Sequence, residues 1–333
     1  MGNEDVPTEK VVIFDEAQRA WTKDQISKFM ARKKGVFNFE YSEPGFLIST
    51  MDRHKDWAVI VCLVGVGQEV NTVETGLIEW FDSLKRSFAH WDVYVSNMIT
   101  DEEYTRGYNV EDLTKGLKAS NENSLHLATS IRSFRSENVS AFVKQILDNN
   151  AVKANEILLG LKQYPIKITR NLDTAKKWVK NKARGTERYG LLASSGALRL
   201  KSVGIFVKNE LSAPNYFLDN KNNFRSSYYL EDCATEFDVQ GLELDWSIVA
   251  WDADYRYNGK EWTYNCFVGS RWNNINTESN KLYLKNAYRV LLTRARQGMV
   301  IFIPKGNPED KTRLEEFYDK TYDYLKNIRV EEI

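Results

Sequence analysis

The sequence predicts an α/β fold of two domains, each built around a parallel sheet. Short apolar, β-branched runs recur in both halves of the 333-residue chain, as strands buried on both faces do. Stretches of helical apolar spacing separate them, and strand–helix alternation produces parallel sheets. A polar stretch at 101–124, rich in Asp, Glu, Asn, Thr and Ser, interrupts the pattern, which then restarts. The length suits two ordinary domains, with expected extents 1–122 and 123–333.

The elements follow in order. Residues 10–15 are an apolar run entering an acidic pair, a buried strand that ends at a functional loop. Residues 24–33 form a helix. WAVIVCLVG at 57–65 is a second buried strand, closed by a glycine-bearing loop. Residues 74–88 place Leu77, Ile78, Phe81, Leu84 and Phe88 on one helical face. Residues 91–99 are a third strand. In the second half a strand near 125–131 precedes a helix at 139–149, and IKITR at 166–170 precedes a helix at 172–182. Strands follow at 189–194 and 246–251, then a helix at 282–296, a strand at 299–304 and a closing amphipathic helix at 311–328. No solenoid-period repeat and no low-complexity segment occurs.

Bulk properties narrow the function classes. The 46 Lys plus Arg equal the 46 Asp plus Glu, so net charge gives no sign of a polyanionic partner, though a local basic groove would suffice for one. Cys62, Cys233 and Cys266 are far apart and form no CxxC pair, which predicts buried thiols in a reducing compartment. Three histidines make a His-based zinc site improbable. The polar start MGNEDVPTEK is no signal peptide, Val6 stands where myristoylation wants Ser or Thr, and no apolar run spans a membrane. The expected location is the cytoplasm. Aromatic residues make up 13% of the chain, enough for base-stacking platforms, although most of these rings are expected in the core.

The chemistry begins at Asp15 and Glu16, which follow Val11-Val12-Ile13-Phe14. Phosphoryl transfer needs a metal near the β- and γ-phosphates and a group that orients the attacking water. A carboxylate at the C-terminal end of a parallel strand is placed for that, because ligands gather at that edge. Four further strings stand downstream in order: VIVCLVGVGQEVN at 59–71, LATSIRSFRS at 127–136, ATEFDVQGLELDW at 234–246 and AYRVLLTRARQ at 287–297. GVGQEV within the first is no dinucleotide loop, since Val70 stands where Gly or Ala is required.

With DEAQRAW at 15–21, these strings resemble motifs II to VI of superfamily 1 helicases. They are more closely similar to the bacterial schlafen-like (group 3) DNA/RNA helicase domains, over nearly the whole chain. The resemblance implies two RecA-like P-loop NTPase domains, with ATP and Mg²⁺ as cofactors and single-stranded DNA or RNA as partner. It implies that Asp15 holds Mg²⁺, that Glu16 polarises the hydrolytic water and that Gln18, the fourth residue of motif II, serves the nucleotide. Gln68 would sense the γ-phosphate. Arg132 would contact phosphate, with Arg135 a second candidate, and Arg294 takes the place of the arginine finger. Thr235, Gln240, Gly241, Glu243 and Asp245 keep the order of motif V. There Gly241 and Glu243 would serve the nucleotide, and Thr235 would couple the nucleotide site to the nucleic-acid backbone.

No G-x-x-x-x-G-K-[ST] occurs; at the only Gly-Lys pair, Gly259-Lys260, Asp254 replaces the first glycine and Glu261 follows. Only fourteen residues precede Asp15, too few for a strand–loop–helix unit of about thirty. The first domain is therefore expected to be N-terminally truncated. Three expectations stay open: a module of a complete ATP-driven helicase, a catalytically inactive binding remnant, or a site completed by a separate chain. Some members of the resembled family carry an upstream nuclease module, which nothing in this sequence indicates.

Overall fold

Strand β1 (Val11–Phe14) lies parallel to β2 (Val59–Cys62), with Val11 opposite Val59 and Phe14 opposite Cys62. The computed structural model to which they belong describes residues 5–35, 39–65, 77–100, 110–126 and 134–333. Its chain divides into two compact units, 1–129 and 130–333.

In the first unit, side chains alternate across the β1–β2 pair. Phe14, Ile60 and Cys62 pack with Ala17, Ile48 and Trp80, while Val11, Ile13, Val59 and Val61 are exposed. Helix α1 (Lys23–Phe29) opens with a capping box in which Thr22 and Gln25 satisfy each other's backbone amides. Helix α2 (Glu43–Met51) is capped by Ser42. The Ser42 hydroxyl also meets that of Ser83 at 3.1 Å, joining α2 to α3 (Ile78–Ser87). Strand β3 (Asp92–Ser96), helix α4 (Val110–Thr114) and strand β4 (Lys118–Glu122) follow, and β3 and β4 pair in parallel. The stretch at 101–124 is therefore not a plain linker: its described part holds α4 and β4. Apart from Ala119 the residues of β4 are polar and exposed, so its ladder with β3 defines it rather than any hydrophobic pattern.

The second unit carries a six-stranded sheet. In chain order come α5 (Phe134–Leu147), α6 (Ala151–Gly160), β5 (Ile166–Thr169), α7 (Leu172–Lys182), β6 (Tyr189–Ala193), α8 (Ala213–Leu218), β7 (Cys233–Ala234) and β8 (Leu244–Ala250). A small antiparallel sheet of β9 (Tyr255–Tyr257), β10 (Trp262–Val268) and β11 (Arg271–Asn274) is inserted next. Then come α9 (Glu278–Leu292), β12 (Ala295–Phe302), α10 (Glu316–Asn327) and β13 (Glu331–Glu332). The large sheet runs β13-β5-β12-β8-β6-β7, and every pairing is parallel. Every residue of β6 is buried, as a sheet covered on both faces requires. Strand β12 has a bulge between Ala295 and Gly298. A Cβ on Gly298 would fall 2.7 Å from the Trp246 ring and 2.8 Å from the Pro165 carbonyl, so glycine is needed there.

Two expectations are corrected. The helix expected over 282–296 ends at Leu292, and β12 already starts at Ala295, because the Arg294 carbonyl accepts from Leu244 N of the sheet at 3.0 Å. Cys62 is part-buried and Cys233 buried, but Cys266 is exposed on β10. Among the described residues no helix is long and apolar enough to cross a membrane. The strand expected near 125–131 lies mostly outside the described residues. Many rings are core: Trp251 and Tyr288 lie 4.6 Å apart between centroids, Tyr255 and Trp262 4.7 Å.

Candidate nucleotide and nucleic-acid site

In the first unit, β1 delivers Asp15 and Glu16 to its C-terminal end, beside the end of β2. Asp15 is exposed, and its Oδ1 accepts the Glu16 amide at 2.9 Å. Glu16 has φ 53° and ψ 43°, the left-handed region that glycine favours, and it caps the single turn Ala17–Arg19. That turn is pinned from three sides. Ala17 N donates to the Leu63 carbonyl at 2.8 Å, and the Trp80 indole donates to the Ala17 carbonyl at 2.8 Å. Buried Gln18 donates to Glu16 Oε2 at 2.6 Å and accepts from Gly65 N at 3.0 Å. Gln18 thus clasps the carboxylate of Glu16 to the loop that follows β2, and Glu16 is held rather than free to swing. Gln68 lies outside the described residues.

In the second unit, motif V begins at the C-terminal end of β7. Thr235 donates through N and Oγ1 to Asp238 Oδ2, both at 2.7 Å, closing a tight turn. Gly241 is exposed with φ 80°, a conformation glycine adopts without strain. Glu243 then stands just before β8, where Arg296 Nε lies 3.7 Å from its carboxylate and 3.7 Å from that of Asp245. Arg294 is adjacent: it is 1% exposed, its Nε donates to the Val290 carbonyl at 3.3 Å, and its carbonyl accepts from Leu244. Glu243 and Arg294 therefore meet at the N-terminal edge of the sheet, where β8 and β12 start, while Thr235 stands at the opposite end of the strands. Arg132 lies outside the described residues; Arg135 falls in α5, and its side chain is not described.

A group of acids was missed in the sequence. Strand β8 ends into Asp252 and Asp254, both buried, beside the Ser194-Ser195-Gly196 turn that follows β6. Tyr288 of α9 donates to Asp254 Oδ1 at 2.5 Å, and Tyr318 of α10 donates to Asp252 Oδ1 at 2.9 Å. Arg199 N donates to Asp252 Oδ2 at 2.9 Å. Glu236 accepts from Ser195 N at 2.8 Å and Ser195 Oγ at 2.7 Å, holding motif V to the end of β6. Burial, followed by the charge of Asp252, pushes the Asp254 carboxyl up to about 7. Burial also raises Asp252 and Glu236, with the Ser195 hydrogen bonds opposing it at Glu236. The signal that marked Asp15 and Glu16, acids directly after an apolar run, is present at WDAD (251–254) as well. Among the described residues no group of three His, Cys, Asp or Glu side chains is arranged to hold a metal ion.

The model of the Schlafen group 3, DNA/RNA helicase domain family matches residues 2–305. The chain belongs to that family. The match includes every candidate residue named above, in both units. No curated protein matches the chain. As a Schlafen group 3 member the chain is a helicase-like module.

Proposed function

We propose that this Schlafen group 3 module is the nucleotide-hydrolysing, nucleic-acid-bound core of a DNA/RNA helicase or translocase. Its two RecA-like domains would extend over 1–122 and 123–333. The observation that carries the reading is the pinned turn after β1, where Glu16 is held in a left-handed conformation and clasped by Gln18. Strain of this kind, of order 1–3 kcal/mol, persists where the surroundings enforce it and clusters at functional sites. The oxygen-only donors there fit Mg²⁺, which keeps most of its waters and takes one or two carboxylates plus phosphate oxygens. Asp15 would hold it, and when bound it would neutralise charge on the phosphates.

The chain's own residues do the rest. Glu16, oriented by Gln18, would accept the proton of the attacking water, and Gln68 would report the γ-phosphate. Arg132 and Arg294 would stabilise charge on the transferring group. Gly241 and Glu243 would line the nucleotide, and Thr235 would meet the nucleic-acid backbone. A second reading, a binding module without turnover, is favoured by the lack of any G-x-x-x-x-G-K-[ST] among the 333 residues.

Two measurements test these readings. Salt-dependent binding of short DNA and RNA strands is expected from the chain; its absence would overturn the helicase-type reading. The 333-residue chain by itself should not hydrolyse ATP, because its sequence holds no G-x-x-x-x-G-K-[ST] loop to cradle the phosphates. Joined to a strand–loop–helix that bears a G-x-x-x-x-G-K-[ST] loop, it should turn over, and Glu16→Gln should abolish that turnover. Turnover by the chain alone, lost in Glu16→Gln, would refute the binding-only reading.

A further inference from the structure

Residues 219–229 form most of the connection from α8 to β7, and Arg188 organises them. Its guanidinium donates to the carbonyls of Tyr216 (3.0 Å) and Asp219 (2.8 Å) and to the hydroxyls of Ser226 and Ser227 (both 3.2 Å). It also stacks 4.5 Å from the Tyr228 ring centroid. Within the loop, Asn223 Nδ2 donates to the Asp219 carboxylate at 2.5 Å, Ser226 Oγ to the Asp219 carbonyl at 2.8 Å and Tyr229 OH to the Lys221 carbonyl at 3.1 Å. So many internal bonds make the loop pre-formed. Yet it and its threshold hold out apolar groups: Leu218 is 78% exposed and Phe224 67%. A pre-formed loop that presents a ring to water offers that ring for contact at little ordering cost.

Its neighbours decide the partner. Tyr228 OH donates to the Thr186 carbonyl at 2.9 Å, and Lys176 lies 3.5 Å from Glu231, so the loop sits beside α7 and the turn after it. Residues 172–188 carry Lys176, Lys177, Lys180, Lys182, Arg184 and Arg188 against only Asp173 and Glu187, in a chain of net charge +0. Lys177, Lys180, Lys182 and Arg184 are exposed, as are Lys221 and Arg225 within the loop. Arg225 lies 5.8 Å from the Phe224 ring centroid and 3.6 Å from Asp232. An exposed ring within a local excess of cations fits a polyanion with flat faces to stack.

We propose that Phe224, with the cations of α7 and of the 219–229 loop, forms a second contact site for single-stranded nucleic acid. It lies at the N-terminal edge of β6 and β7, away from Thr235. An unpaired base stacks on Phe224, and the backbone follows Lys180, Lys182 and Lys221. The proposal rests on the nucleic-acid reading above and names a contact outside motif V.

The test is fluorescence anisotropy of the full chain with labelled oligo-dT and oligo-U of about 20 nucleotides, and with a duplex of equal length. Phe224→Ala should weaken single-strand binding about tenfold, the effect of losing one stacked base, while Phe224→Trp retains it. Lys180→Gln with Lys182→Gln should lower the slope of log affinity against log salt by about 0.7 per lost phosphate contact. Melting curves of Phe224→Ala should match wild type, because the ring is exposed. Should that variant fail to fold, cross-linking of a 5-iodouracil strand to the wild-type chain gives an independent readout: adducts on the 219–229 peptide support the site, and adducts confined elsewhere overturn it. Wild-type affinity in Phe224→Ala refutes this site but leaves the nucleic-acid reading intact. A wild-type chain that binds no oligonucleotide sinks both. A Phe224→Ala defect confined to nucleotide or to a protein partner also refutes the site.

Discussion

Glu16 adopts a conformation that an L side chain other than Asn or Asp rarely takes, and its side chain is tied to Gln18. These two facts make opposite predictions for neighbouring substitutions. Glu16→Gly relieves roughly 1 kcal/mol of backbone strain and loses a hydrogen bond of similar value, so thermal stability should change by less than about 1 kcal/mol. Gln18→Ala removes a buried amide that satisfies both Glu16 and Gly65 N, and should cost about 1–3 kcal/mol. Denaturant melts of the two variants decide the matter: a larger loss in Glu16→Gly would mean that the turn is structural. Asp254 supports a prediction in pH. Its carboxyl ionises near 3.8 in the unfolded chain but only at about 7 in the folded one. Between those values the unfolded state binds fewer protons, so stability falls as pH rises from about 4 to about 7 and then levels. Asp252, raised by burial too, acts in the same direction. Asp254→Asn, neutral at every pH, should flatten the slope, which melting temperatures across that window would reveal. An unchanged slope would mean that Asp254 is ionised in the fold.

At the scale of elements, the bulge in β12 makes a sharp demand. Gly298→Ala puts a methyl group against the Trp246 ring and the Pro165 carbonyl and should destabilise by about 1–3 kcal/mol. The denaturant midpoint should drop with no change in slope; an unshifted midpoint would show that β5 and β12 can separate freely. The strands that were legible in the sequence are those whose apolar run is itself the signal, such as β2, β6, β8 and the second half of β12. Those that were not depend on something the local pattern lacks. Strand β4 exists through its ladder with β3, β13 is only two residues long, and β9 to β11 enclose rings on both faces and so show no clean alternation. The string LTRAR reads as helix by composition, but pairing of the Arg294 carbonyl with β8 ends α9 at its first residue, Leu292. In the site, Asp15 and Glu16 were legible because acids follow an apolar run, although β1 proves to be buried on one face only. Gln18 was named from the motif alone; its clasp on Glu16 and Gly65 could only come from the fold.

For the whole molecule, the two units differ in how completely they bury their sheets. In the second, the central strands of the six-stranded parallel sheet are covered on both faces, and the residues of β6, most of β8 and the end of β12 are buried without a break. In the first, the β1–β2 pair covers one face with Ala17, Ile48 and Trp80 and leaves Val11 at 50% and Ile13 at 64% exposed on the other. A two-stranded sheet is marginal in water, and a parallel one is ordinarily covered on both sides. The units should therefore differ when made separately. Residues 130–333 should unfold in one cooperative transition and bind little of a hydrophobic dye. Residues 1–129 should bind the dye strongly and melt broadly, as a chain with accessible apolar surface does. Charged substitutions at Ile13 and Val61, which share the exposed face, should reduce that dye binding without lowering helix content. If residues 1–129 melt sharply and exclude the dye, then the face of Val11, Ile13, Val59 and Val61 is tolerated in water and calls for no cover; if the substitutions unfold α2 and α3, that face supports the core from outside.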